Sequence, residues 1–390
     1  MRKPTYALFI LTYANYQATT AIFMVFLPLF FYLRGYSQGA IGTILAVGTV
    51  FSLFAHPFWG KASDRARNKN NVLSVMYLGS AASVLAFYVH GSFFFLLAAM
   101  AVFNFFQASI ETQTAAVTLE HAQRVGWRYG PIRLAGTVGY SIMALVAGLL
   151  SNYSITISFA ILSIMSLAGI GFVQLLPKIA GHQDRRKPVS TLQLLRDRKL
   201  LVYLIYITLV NSTLVYYYSF FPIYYEQMGA TPFLIGLATF ASAIPEVVVL
   251  LFADKLFDAV GPDWMLLGAG ILITARWFLY YFLHNMYLIL PVQVLHALTA
   301  MPIVFAMTTY VSRSVPPGLR SSGQAMFGLA FFGVARLAGT LLGGWLGERV
   351  GVRTMFLYNA MFVAVTTLVF AATSVRRVRP SAERQFQLPG

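Results

Sequence analysis

The chain has 390 residues, 58% of them hydrophobic and 10% charged, with a formal net charge of +16 and a mean hydropathy of +0.70. Soluble domains carry about 25% charged residues, so the composition argues against a water-soluble enzyme, a disordered protein and a secreted disulfide scaffold. Cysteine is absent, which removes disulfides, thiolate metal sites and cysteine nucleophiles.

The apolar material falls into blocks of roughly 20 residues, the length that spans a bilayer as helix. In chain order the expected spans are 6–33, 39–60, 72–89, 92–119, 131–151, 154–175, 200–225, 232–253, 264–283, 287–312, 321–347 and 354–374. The first follows a basic start but has no small-residue cleavage site and is too long for a signal peptide, so it reads as a retained helix. The fold class expected is an all-α membrane protein of twelve transmembrane helices. The hydrophilic connector from Pro177 to Lys199 divides it into six plus six. The expected organisation is a six-helix bundle over 1–178, a basic linker over 179–199, a second six-helix bundle over 200–375 and a tail over 376–390.

In a soluble protein a +16 charge would suggest nucleic acid; here it reads as topology, and no nucleic-acid partner is expected. With the N-terminus in the cytoplasm, 22 of the 28 Lys and Arg residues fall on the cytoplasmic side. Only Arg34, Arg349 and Arg353 lie outside, and Arg133, Arg276 and Arg336 lie within spans. That asymmetry predicts both termini inside a cytoplasmic (inner) membrane, with basic loops attracted to lipid headgroups.

The halves repeat. Gly35-Tyr-Ser-Gln-Gly-Ala-Ile-Gly42 resembles Gly229-Ala-Thr-Pro-Phe-Leu-Ile-Gly236, and 22 residues after each second glycine comes an aspartate, Asp64 and Asp258. Tyr129-Gly-Pro-Ile-Arg-Leu-Ala-Gly-Thr137 is matched by Phe332-Gly-Val-Ala-Arg-Leu-Ala-Gly-Thr340. Both copies begin on the same side of the membrane, so a parallel repeat of six helices is predicted, the architecture of transporters whose halves rock about a central site. No phosphate-binding loop, His-Glu-x-x-His pair or nucleophile elbow occurs. A gradient-driven transporter is expected, with no enzymatic activity, no cofactor and no metal.

Gly60-Lys61-Ala-Ser-Asp64-Arg65-Ala-Arg67-Asn-Lys69 resembles the signature of the major facilitator superfamily, with Arg67 and Asn68 departing from the pattern. The resemblance implies a gating motif at Gly60, Asp64 and Arg65. Gly60 would permit a close turn, and Asp64 would bond a neighbouring helix N-terminus or a basic residue. Residues 41–60, Arg133 followed by Tyr140, and the set Glu246, Arg276 and His296 resemble the lactose permease-type oligosaccharide–proton symporters and the related phenylpropionate permeases. Two departures stand out. Thr299 occupies the place of a proton-binding glutamate, and Glu111 lies one turn before the aligned position of the span-4 carboxylate, near Ala115.

Ionisable groups inside spans are expensive and are functional candidates by default. The expected substrate-binding set is Gln107, Glu111, Arg133, Tyr140, Glu246, Arg276 and His296, with Glu246 and His296 in proton coupling. Arg133 offers a fork of donors, and Tyr140, two turns along the same face, a ring to stack on substrate. Arg336 is expected to pair within the C-terminal half. Gln107, Asn15, Gln17 and Asn211 could bond substrate or join helices. Most of the aromatic run Tyr216 to Tyr225 is expected to face lipid or the interface. The reading is a monomeric, proton-coupled symporter of a small polar solute such as a sugar or oligosaccharide. Transport of an aromatic carboxylate or nucleoside, or efflux of amphipathic compounds, remains as the alternative.

Overall fold

A computed structural model describes residues 2–89, 92–179, 194, 197–316 and 319–374. Most of the 179–199 linker and all of the 376–390 tail, with their basic clusters, lie outside the described residues. The described chain is helical throughout: α1 (Arg2–Leu33), α2 (Gln38–Arg65), α3 (Lys69–Val84), α4 (Phe93–Gln107), α5 (Ile110–Val125), α6 (Tyr129–Ser151), α7 (Ile157–Leu175), α8 (Arg198–Gln227), α9 (Pro232–Phe282), α10 (Met286–Val292), α11 (Ala297–Ser314), α12 (Arg320–Gly328), α13 (Ala335–Val350) and α14 (Val352–Ser374). Among the described residues eleven helical stretches are long and apolar enough to cross a membrane, and Pro232–Ala243 is a shorter apolar helix. The protein is a multi-pass membrane protein. In lipid only a helix satisfies its own backbone groups, and the caps show the same economy: Ser37, Asn68, Ser92, Asp197, Thr231 and Asn285 each accept a backbone N–H at a helix start.

Four departures from regular helix stand out against the expected spans. Span 4 is broken at Ala108–Ser109, before Glu111. The expected separation between spans 8 and 9 is a single break inside α9, at Gly261 (φ 74°, ψ 173°), with helix resuming through Pro262. Span 10 contains a 3-10 turn over Gln293–His296, and span 11 a π turn over Leu329–Val334 immediately before Arg336. Such turns re-aim side chains and are frequent at functional sites. Propensity alone does not reveal them.

Helices α1–α7 pack mainly on one another, α8–α14 likewise, and the two sets meet along α2 with α13, α6 with α9, and α1 with α8. Two of these seams are closed by glycine at one end of the molecule. A Cβ on Gly42 would collide with Thr340 O and meet the Cα of Gly344, and one on Gly236 would collide with Ala144 O and meet the Cα of Gly148. Beside them, Glu348 of α13 accepts from Ser37 Oγ and Gly39 N at the start of α2 (both 3.0 Å), and Asn152 accepts from Phe233 N at the start of α9 (3.1 Å). The α1–α2 and α8–α9 turns at this end use Gly35 (φ 84°) and Gly229 (φ 91°), a left-handed conformation that only glycine adopts readily.

Candidate functional site

Away from the closed seams the two sets of helices part around a cavity of about 500 Å³. Its walls come from Gln17 and Met24 of α1; Arg133, Thr137 and Tyr140 of α6; Tyr217, Tyr218 and Phe221 of α8; Thr239, Ser242 and Glu246 of α9; and His296. The first three turns of α6 line the cavity while Gly148, near its far end, closes a seam. The cavity therefore opens at the end opposite the glycine contacts.

Arg133 and Tyr140 both face the cavity, as a spacing of two helical turns requires. Arg133 Nη1 lies 3.8 Å from Glu111 Oε1, with side chains 61% and 40% exposed. At that distance and exposure the pair is worth about 0–1 kcal/mol, so the guanidinium is free to exchange its partner for a ligand.

On the opposite wall lies a denser arrangement. Arg276 is fully buried. Its Nε and Nη2 donate to Tyr280 OH (3.2 and 2.9 Å), its Nη2 also to Gln293 Oε1 (3.0 Å), and its Nη1 to His296 Nδ1 (2.8 Å). The guanidinium carbon sits 4.2 Å from the centroid of the Tyr217 ring, a favourable cation–π placement. Arginine has only donors, so His296 Nδ1 accepts and its ring proton sits on Nε2. That N–H is within hydrogen-bond distance of Tyr218 OH (3.1 Å), and Glu246 Oε1 lies 3.4 Å from Nε2. His296, neutral in this tautomer, thus stands between Glu246 on the cavity wall and the buried arginine. The 3-10 turn that carries Gln293 and His296 puts both on Arg276 at once.

Several expected residues lie elsewhere. Gln107 is buried off the cavity, accepting from Ser80 Oγ (2.7 Å) and donating to Thr19 Oγ1 (3.1 Å). Asn15 donates to Met165 O, and Asn211 to Phe331 O within the π turn; all three join helices, and of the four polar candidates only Gln17 borders the cavity. Arg276 stands behind His296 rather than on the wall. Gly60 makes no turn: α2 runs on to Arg65, and nothing lies within 4 Å of a Cβ placed there. Asp64 and Arg65 are exposed at that helix end, and among the described residues Asp64 has no ion pair. Its repeat mate Asp258 pairs with Arg313 at 2.6 Å. Arg336 has no partner in the C-terminal half among the described residues; its Nη2 lies 3.5 Å from Met24 Sδ of α1.

The aromatic run of α8 corrects the sequence expectation. Tyr216, Tyr217, Phe220, Phe221, Tyr224 and Tyr225 are all buried, because α8 is surrounded by α1, α13 and α14. Tyr217 and Tyr218 are site residues that the lipid-belt reading missed. The available signal was the density of hydroxyl-bearing rings on one helix, more than an interfacial belt needs.

The model of the MFS_1 like family matches residues 6–358. The maltose permease of Geobacillus stearothermophilus is 24% identical over 351 residues, covering 90% of this chain and 89% of that protein. A probable 3-phenylpropionic acid transporter of Escherichia coli is 25% identical over 371 residues, covering 90% and 95%. The solved structure of the nucleoside transporter NupG superposes with a TM-score of 0.81 at 16% identity, over 94% of this chain and 97% of that one.

Proposed function

Since the chain belongs to the MFS_1 like family and is a transporter rather than an enzyme, we propose that it is a secondary active symporter. In this reading it couples proton movement to the uptake of a small polar, ring-bearing solute, such as a sugar or oligosaccharide, through alternating access to the central cavity. The observation that carries the reading is the chain Arg276–His296–Glu246 at the cavity wall. A carboxylate held at mid-membrane by a neutral histidine is a proton-accepting group whose charge is compensated at one remove. Protonating Glu246 discharges it without disturbing the His296–Arg276 bond, which makes it the proton carrier and His296 the group that positions it. Thr299 stands where the resembled symporters have a second carboxyl, so the load falls on Glu246.

The rest of the reading follows from symmetry and charge. Twelve spans in two parallel six-helix bundles, 1–178 and 200–375, joined by the 179–199 linker, are supported by the matching left-handed turns at Gly35 and Gly229 and by the two glycine seams. The distribution of Lys and Arg supports an inner-membrane orientation with both termini cytoplasmic. In that orientation the cavity faces the cytoplasm and the glycine seams form the closed outer gate. The rings of Tyr140, Tyr217, Tyr218 and Phe221 around the cavity suit a flat solute, and they favour an aromatic acid or nucleoside as the second reading.

Uptake of radiolabelled solutes into proteoliposomes, with and without an imposed pH gradient, tests the proposal. Accumulation above equilibrium only when the outside is acidic is the expected result. Equilibration indifferent to the gradient would replace the symporter with a uniporter or an exchanger.

A further inference from the structure

Three arginines and two glutamates occupy the interiors of the expected spans, and the structure pairs them unequally. Glu111 faces Arg133, and Glu246 is joined to Arg276 through His296. Arg336 has the sulfur of Met24 at 3.5 Å and Tyr16 within electrostatic reach, and among the described residues no carboxylate lies within ion-pair reach of it. A thioether is a weak acceptor, whereas a guanidinium presents five donors in a rigid fork. A charge left in this state inside a membrane marks a solute or ion pathway.

Its setting points to the ligand. Arg336 follows the π turn of Leu329–Val334 and faces α1 across the junction of the two helix sets. Met24 borders the cavity, and Arg336, which does not itself line it, has its Nη2 3.5 Å from the Met24 sulfur. Methionine is unbranched and has three rotatable bonds, so it can swing aside and admit a polar group to the fork. We propose that Arg336 is the anion-binding group of the cavity and that the transported solute is a ring-bearing carboxylate. Two carboxylate oxygens match two parallel N–H donors of a guanidinium, and a single negative charge balances the one arginine in excess. A phosphate dianion would leave a charge over. The rings of Tyr140, Tyr217 and Phe221 take the apolar part of the solute. This inference rests on the transport reading and narrows its substrate from polar to anionic.

The test is binding of matched pairs to the purified full chain, read by thermal unfolding and by titration: 3-phenylpropanoate against 3-phenylpropanamide, and glucuronate against glucose. The acid of at least one pair should stabilise the wild type while its neutral partner does not. Arg336→Gln should weaken that acid on the order of 10–100-fold, and Arg336→Lys, which keeps the charge but loses the fork, should fall between. Equal binding of acid and neutral partner, no binding of either acid, or undiminished acid binding by Arg336→Gln would overturn the proposal. The wild-type comparison needs no variant and stands even if Arg336→Gln fails to fold. Stabilisation by phosphatidylglycerol alone would assign the fork to a lipid phosphate and overturn it as well. The two readings fail separately. Acid bound through Arg336 but never driven by a pH gradient removes symport and leaves the anion site. Proton-driven uptake of glucose unaffected by Arg336→Gln removes the anion site and leaves symport.

Discussion

Arg276 Nη1 lies 2.8 Å from His296 Nδ1, and because the arginine brings only hydrogens to that contact, the histidine must bring the lone pair. The tautomer of His296 follows from this one distance, and so does the direction in which its proton faces. Nitrogen-15 spectra of histidine-labelled protein should show one ring in the neutral Nε2–H form, and Arg276→Gln should redistribute that signal between tautomers. A doubly protonated His296 in the wild type would show that Arg276 has turned away.

Glu246→Gln imitates the protonated carboxyl. Loss of pH-driven accumulation with retention of solute exchange is expected, since exchange needs no net proton release. Counterflow and gradient-driven uptake in the same proteoliposomes separate the two activities. Accumulation persisting in Glu246→Gln would move the proton to another group, Glu111 first.

Arg133→Ala should weaken solute binding on the order of 10–100-fold, the worth of a hydrogen bond from a charged donor, while barely altering the fold. Its side chain is 61% exposed and its ion pair with Glu111 is long, so the change in stability should stay within about 0.5 kcal/mol. Isothermal titration and a melting curve check the two halves of this statement. Unchanged affinity would reduce Arg133 to an interfacial cation.

Gly42→Val should hold the glycine seam open, because even a Cβ collides with Thr340 O. The native chain has no cysteine, so Thr239→Cys, on the cavity wall, adds a single reactive thiol. An impermeant thiol reagent outside right-side-out vesicles should label Thr239→Cys fast in the Gly42→Val background and slowly without it. Equal rates would mean that the seam does not gate the cavity.

The sequence showed where the charges lie better than how they meet. Span lengths are one-dimensional patterns set by bilayer thickness, and eleven apolar helices among the described residues follow them; the basic loops and the Gly35/Gly229 repeat carry the topology proposed above. The bridge through His296 was not readable in the sequence, because it depends on a 3-10 turn whose residues have no unusual propensity. The same holds for Arg336: periodicity places it on α13, but only the meeting of the two helix sets brings it to Met24 of α1 instead of a carboxylate. Gln107 and the α8 tyrosines failed for a related reason. A polar or amphipathic side chain in a span has two good environments, helix contact and cavity wall, and composition does not distinguish them.

The glycine seams also have an electrical consequence. Where Gly42 meets Gly344 and Gly148 meets Gly236, backbone lies against backbone with no layer thick enough for a file of water. With the seams as the closed gate proposed above, the open side of the cavity would share the potential of its own solution, and the membrane voltage would be concentrated across that thin partition instead of falling evenly over the bilayer. An elementary charge carried through such a drop exchanges about 2.3 kcal/mol per 100 mV with the field. In that arrangement the contacts that close the protein would also act as its insulator, and a side chain that props them apart would leak current before it leaked solute.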